Sequence, residues 1–144
     1  MKKIVFLVLL LYGQIFALER ESTLKFYHHV LDALFTKEVV SVYVEDAAYK
    51  DVFAHSSVIK IVNDMKQADM VLITDDLVLQ DALSLAHDPI LFSTQYKYLD
   101  KSQDIVGAFY WKKGRAQLLF IKDRLLNHGI KLTREYAKYT LDTL

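Results

Sequence analysis

The segment Asp69-Met-Val-Leu-Ile-Thr74 decides which fold class this chain adopts. Its five residues from Met70 to Thr74 are apolar or β-branched, and acidic residues stand on both sides of them. A continuous run of this kind is typical of a β-strand that is covered on both faces. We therefore expect residues 69–74 to form a strand inside a sheet rather than at its edge.

A second run of the same kind, Ile90-Leu-Phe-Ser-Thr94, follows a segment with helical periodicity. That segment predicts a helix that starts at Asp75 or Asp76 and ends before Pro89, because the residue preceding a proline is disfavoured in a helix. The order strand, helix, strand predicts a parallel pair joined by a right-handed crossover. The stripe expected to be buried on this helix is Leu79, Ala82, Leu83 and Ala86.

The remaining patterns complete an α/β fold, a single-domain three-layer sandwich with a mostly parallel central sheet and a C-terminal antiparallel β-hairpin. Gly114 supplies the positive φ that the hairpin turn needs, and Gly129 ends a helix. Ser22, Asp46 and Thr133 are placed to cap three further helices. The other predicted strands are residues 39–44, 58–62, 105–111 and 116–121, and the other predicted helices are residues 22–37, 46–55, 122–128 and 133–140.

The N-terminus indicates export. Two lysines precede eight uninterrupted apolar residues, 4–11, and a small residue, Ala17, follows. This run is shorter than the roughly 20 residues that span a bilayer as a helix, and its layout is typical of a secretory signal peptide. We expect residues 1–17 to be a signal peptide and residues 18–144 to be one periplasmic domain; an uncleaved N-terminal anchor is the alternative. The chain has no cysteine, so no disulfide stabilises that domain.

Charge is segregated along the sequence. Residues 32–104 contain 6 basic and 13 acidic side chains, whereas residues 108–138 contain 8 basic and 2 acidic ones. Such a pattern indicates either complementarity between neighbouring elements or a basic surface that meets an acidic partner or anionic lipid heads. Without residues 1–17 the net charge is −2, from 16 basic and 18 acidic side chains, which argues against nucleic-acid binding.

Polar residues follow the two buried strands. In parallel sheets, ligands bind beyond the carboxyl ends of the strands, so these residues are candidates for a small-molecule pocket. The alternative is that they cap a helix and form a turn. The candidate ligand-binding residues are Thr74, Asp75, Ser93, Thr94 and Gln95.

No catalytic motif is present in the sequence. The four glycines stand alone, so phosphate-binding and dinucleotide-binding loops are excluded, and no serine lies in a nucleophile elbow. The five histidines show no metal-ligand spacing, and no cofactor or metal is predicted. We therefore expect a protein that is not an enzyme, although a catalytic pair assembled only in three dimensions remains open.

The hairpin provides the candidate partner-binding surface. Aromatic residues 109–111 run directly into Lys112, Lys113 and Arg115, and strand alternation places Phe109 and Trp111 on the face opposite to Tyr110. Aromatic and cationic groups together are enriched at protein interfaces. The alternative is that helices cover both faces and that the cations only solvate the turn. The residues predicted to bind a partner are Tyr110, Lys112, Lys113 and Arg115.

The C-terminal third combines a strand that begins near Gly107, a strand ending in Phe120, a helix containing Leu125, and then Gly129-Ile-Lys-Leu132. In these features it resembles the YfiR-like family of small periplasmic regulators. The earlier order of elements is also similar, whereas the family's cysteine pairs are missing. What the resemblance implies is a homodimeric periplasmic protein that restrains a membrane-bound diguanylate cyclase by binding its periplasmic sensor part. The alternative function is a small-molecule-binding domain resembling one lobe of a periplasmic solute-binding protein.

Overall fold

The chain forms a single, mostly parallel sheet with helices packed against it, as the sequence predicts, and the sheet has seven strands. The computed structural model describes residues 19–144, so the predicted signal peptide lies outside the described residues. The strand order is β2-β1-β3-β4-β5-β6-β7. The strands are β1 (Val40–Tyr43), β2 (Ile59–Val62), β3 (Met70–Ile73), β4 (Ile90–Ser93), β5 (Ile105–Lys112), β6 (Arg115–Ile121) and β7 (Thr140–Leu141). The helices are α1 (residues 19–34 of the described part), α2 (Ala47–Ala54), α3 (Asp76–Leu83), α4 (Lys97–Lys101) and α5 (Lys122–Asn127).

Strands β1 to β5 run parallel to one another. β3 lies between β1 and β4, and Met70 of β3 pairs with Ile90 of β4. Every residue of β3 is fully buried. The predicted parallel pair of buried strands is therefore confirmed, and it lies in the interior of the sheet.

The hairpin is antiparallel, as predicted. Lys112 of β5 pairs with Arg115 of β6, and the two turn residues between them, Lys113 and Gly114, have φ angles of 51° and 75°. Positive φ at both positions is the geometry of a type I′ turn, whose twist matches that of the strands. β7 adds a short parallel strand beyond β6, which the sequence did not predict.

Two apolar clusters lie on opposite faces of the sheet. α1 and α2 cover one face, where Tyr27 and Phe53 pack with Phe92 and Phe109. α3 and α4 cover the other face, where the central residues are Val71, Ile73, Leu79, Leu99 and Ile105. Burial of each such side chain contributes about 1.5–3 kcal/mol, so both clusters stabilise the sheet.

Local capping signals placed two helices correctly. The Asp46 carboxylate accepts hydrogen bonds from the backbone N–H groups of Ala48 and Tyr49 at 2.9 and 3.2 Å. The Asp75 carboxylate accepts one from the N–H of Val78 at 2.9 Å. These bonds satisfy N–H groups that have no partner inside the helix.

Other helix boundaries were predicted wrongly. Ser22 does not cap α1, since the helix already includes residue 19. α3 ends at Leu83, because the chain turns at Ser84, whose hydroxyl donates to the carbonyl of Gln80 at 3.0 Å. Val78 is buried and Leu83 is exposed, contrary to the predicted stripe, and Ala86 lies exposed outside the helix.

The predicted C-terminal α-helix is a short 3-10 helix, Arg134–Tyr139, and Thr133 makes no side-chain capping bond. Pairing of Thr140 in β7 with Phe120 draws the chain into the sheet instead. No helix among residues 19–144 combines the length and apolar character needed to cross a membrane.

Candidate functional site

The hairpin projects beyond the rest of the sheet. The last β4–β5 pair is Ser93 with Ala108, and β5 continues for four more residues to Lys112. At about 3.3 Å per residue, the turn stands about 13 Å past the end of β4. The base is fixed by residues 105–109, all of which are buried. The buried base therefore holds the hairpin in place, while the turn at its other end is exposed to solvent.

Cross-strand pairs divide the hairpin into two faces. Phe109 pairs with Leu118 and Trp111 with Ala116 on the face that α1 covers. Phe26 of α1 stacks on Phe109, with ring centroids 5.0 Å apart. Phe109 is fully buried, whereas Trp111 is 49% exposed. The predicted alternation is correct, and Trp111 is the half-exposed aromatic residue of this face.

The other face of the hairpin carries three of the predicted partner-binding residues. We call this face, together with Tyr96 beside it, the hairpin side; it consists of Tyr96, Tyr110, Lys112, Arg115 and Gln117. The rings of Tyr96 and Tyr110 meet edge to face at 5.7 Å. Burial, and then the neighbouring Tyr96, raises the pKa of Tyr110. Tyr96 is 41% exposed. The hairpin side therefore consists of a partly exposed pair of tyrosines next to two exposed cations, Lys112 and Arg115.

The hairpin cations take no part in ion pairs. The four ion pairs among residues 19–144 are Arg20–Asp51, Lys37–Asp69, Lys101–Asp76 and His128–Asp88. One of these four, His128–Asp88 at 3.5 Å, links the basic C-terminal segment to the acidic one, and it requires a protonated histidine. Direct pairing between neighbouring elements therefore does not account for the segregated charge, and the positive charges of Lys112, Lys113 and Arg115 face solvent.

The residues predicted to line a small-molecule pocket do lie side by side, because Ile73 of β3 pairs with Ser93 of β4. Three of them, Asp75, Ser93 and Thr94, however, already use their side chains in hydrogen bonds to the backbone. The buried Ser93 hydroxyl donates to the carbonyl of Gln95 at 2.8 Å and accepts from the Gln95 N–H at 3.0 Å. Asp75 caps α3, and the Thr94 hydroxyl donates to the carbonyl of Ile73 at 3.4 Å. Thr74 is half-buried and Gln95 is exposed.

A groove near the beginning of β1 and β2, at the end of the sheet away from the hairpin turn, was not predicted. It has a volume of about 630 Å³. It is lined mainly by the end of α1 and the following loop, and includes His28, His29, Asp32, Phe35, Lys37 and Glu38. The His28 ring lies 2.8 Å from the Ser56 hydroxyl, a nucleophile–base distance, although that hydroxyl also accepts from the N–H of Val58. Asp32 accepts from the Tyr136 hydroxyl at 2.9 Å. Ser56 and Tyr136 do not line the groove and come from distant parts of the chain, so sequence spacing did not indicate these two contacts.

Comparison with known proteins yields no match. No protein-family model matches the chain, and no curated protein or solved structure is significantly similar to it. The YfiR-like resemblance therefore stays a prediction.

Proposed function

We propose that the protein is an exported regulatory module that works in the periplasm by binding the periplasmic part of an inner-membrane signalling protein. The partner suggested by the resemblance is a diguanylate cyclase, which the module would restrain by occupying its sensor surface. The proposal treats the chain as a binding protein rather than an enzyme.

The observation that supports this proposal most is the hairpin side. Tyrosine and arginine are enriched among the residues that dominate binding energy at protein interfaces. Here Tyr96 and Tyr110 form a partly exposed aromatic pair, with Lys112 and Arg115 beyond it. The buried base of the hairpin fixes their positions before a partner arrives, which lowers the entropy cost of association. Free cations at the rim also attract an acidic partner over long distances.

The alternative function, a small-molecule-binding domain, has less support. A binding pocket needs polar groups that are free to meet a ligand. Asp75, Ser93 and Thr94 instead satisfy backbone groups of this chain. Thermal-shift screening with small metabolites tests this alternative, and a reproducible rise in Tm that Ser93→Ala abolishes would favour it over the regulatory module.

Charge reversal on the hairpin tests the regulatory module. In the double variant Lys112→Glu, Lys113→Glu, we expect capture of the inner-membrane partner from detergent extracts to fall about tenfold, since two attractive charges become repulsive. The matched control is Lys60→Glu, Lys66→Glu, which makes the same change of charge on exposed residues of β2 and the following 3-10 helix, Met65–Gln67. Capture is quantified by immunoblot of the partner after its identification by mass spectrometry.

Equal capture by both double variants would contradict the assignment of the partner contact to the hairpin. If the partner is a diguanylate cyclase, deletion of the gene for this protein is also expected to raise cellular cyclic di-GMP, because the cyclase would no longer be restrained. An unchanged cyclic di-GMP level would remove the cyclase from the proposal.

A further inference from the structure

We propose that the tip of the hairpin, residues Trp111–Gly114, docks on an anionic lipid surface. This inference goes beyond the proposed regulatory function and does not depend on the identity of the protein partner. It concerns Trp111 above all, which lies on the face opposite to the hairpin side. The tip would hold the domain at the bilayer, with Lys112 at the headgroups, and leave the rest of the hairpin side, around Tyr96 and Tyr110, free to meet a neighbouring membrane protein.

The chemistry of the tip fits the boundary between lipid and water. Trp111 is half-exposed, and an indole places its apolar ring among lipids while its N–H stays hydrated. Lys112 and Lys113 follow it directly, and Arg115 lies across from Lys112. Long basic side chains keep their charge at the headgroups while their stems rest on apolar surface. The hairpin strands and turn, residues 105–121, contain no acidic residue that would oppose this attraction.

The carboxylates at the ends of the neighbouring strands lie well behind the tip. Asp75 follows β3, and Asp46 follows β1, two and three strands away from β5. The turn stands about 13 Å past the end of β4. This separation exceeds the Debye length of about 10 Å at 0.1 M salt, so these charges are largely screened from a membrane touching the tip. Glu19 and Glu21 are also exposed, at the start of the described part of α1.

A lipid surface suits the tip better than a second protein does. A bilayer needs no complementary shape, and one aromatic anchor with a few basic residues is enough for reversible binding. The broader hairpin side remains the better candidate for the protein contact.

The fluorescence of Trp111 tests this inference, because it is the single tryptophan of the chain. Purified protein without its predicted signal peptide is titrated with phosphatidylcholine vesicles, either pure or containing phosphatidylglycerol. We expect binding and a blue shift of the emission with the anionic vesicles only. In the double variant Lys112→Ala, Lys113→Ala, the apparent affinity for anionic vesicles should fall about 25-fold, because each cation removed lowers it about fivefold.

The matched control is Lys60→Ala, Lys66→Ala, which removes the same charge far from the tip and should bind like the unaltered protein. Vesicle sedimentation follows binding independently of fluorescence, which allows Trp111→Ala to be included; its affinity should fall about tenfold or more. Three results would overturn the proposal: no binding to anionic vesicles, equal loss in both double variants, or binding that leaves the Trp111 emission unshifted. A tip variant that binds vesicles normally but no longer captures the protein partner would assign the tip to the protein contact.

Discussion

Tyr27 holds the one side-chain polar atom of residues 19–144 that is buried without a hydrogen-bond partner. Its ring packs edge to face against Phe53 and Phe109, with centroids 5.0 and 5.5 Å away. Burial, and then the adjacent Tyr49, raises the pKa of Tyr27 well above its usual value. Tyr27→Phe keeps the ring and removes the unpaired hydroxyl, so we expect the free energy of unfolding to rise by about 1 kcal/mol.

Urea unfolding followed by Trp111 fluorescence measures this change. Tyr136→Phe is the matched control, because the Tyr136 hydroxyl donates to Asp32 at 2.9 Å and its loss should lower the free energy of unfolding by about 1 kcal/mol. Equal destabilisation of both variants would show that the Tyr27 hydroxyl does have a partner.

Single-residue signals were predictable where they act locally. Asp46 and Asp75 cap their own helices, and Gly114 serves its own turn, so neighbouring sequence was sufficient to identify them. The isolation of the Tyr27 hydroxyl depends on how α1 packs against α2 and the sheet. The pairing of His28 with Ser56 likewise depends on tertiary structure, which explains why neither was predicted.

Among the elements, the β5–β6 hairpin depends on close approach of its two strands at Gly107. A Cβ added to Gly107 would collide with the carbonyl oxygen of Leu119 and lie 3.1 Å from the Phe92 ring. Backbone on one side and a buried ring on the other leave little room for adjustment. We therefore expect Gly107→Ala to lower the free energy of unfolding by about 3 kcal/mol and to loosen the base of the hairpin.

Gly114→Ala provides the comparison for this prediction. Nothing lies within 4 Å of a Cβ at Gly114, so its cost is the positive φ of 75° alone, about 1 kcal/mol. Urea unfolding ranks the two variants, and Gly107→Ala should also weaken partner capture if the hairpin carries the contact. A smaller cost for Gly107→Ala than for Gly114→Ala would mean that the strands can separate freely.

Among the elements, the positions of the strands were predicted better from the sequence than the ends of the helices. Runs such as 70–73 were predictable because a short apolar run bounded by polar residues is typical of a strand buried on both faces. The segment 133–140 has helical spacing, yet pairing of Thr140 with Phe120 and the bond from Tyr136 to Asp32 outweigh that local preference. The exposure of Trp111 was equally hidden, since it depends on the tertiary packing around β5.

Over the whole molecule, buried tyrosines make the free energy of unfolding depend on pH in the alkaline range. Burial is the largest cause that raises the pKa of five of them, Tyr27, Tyr43, Tyr49, Tyr110 and Tyr136. The pKa reaches about 12 in Tyr43, which donates to Glu45, and in Tyr136, which donates to Asp32. Burial disfavours the tyrosinate anion, and a nearby carboxylate repels it. The folded state therefore keeps these hydroxyls protonated at a pH where the unfolded chain loses its protons.

The sign of the pH dependence follows from these raised values. Below about pH 10, the ordinary pKa of tyrosine, both states are neutral at these residues and their contribution is complete. Above it the unfolded state binds fewer protons than the folded state, so stability falls by up to about 1.4 kcal/mol per pH unit for each such tyrosine. We expect the urea midpoint, followed by circular dichroism, to drop steeply above pH 10. In Tyr136→Phe the drop should be shallower, because one of the linked groups is gone, and a midpoint independent of pH up to 11 would contradict the linkage.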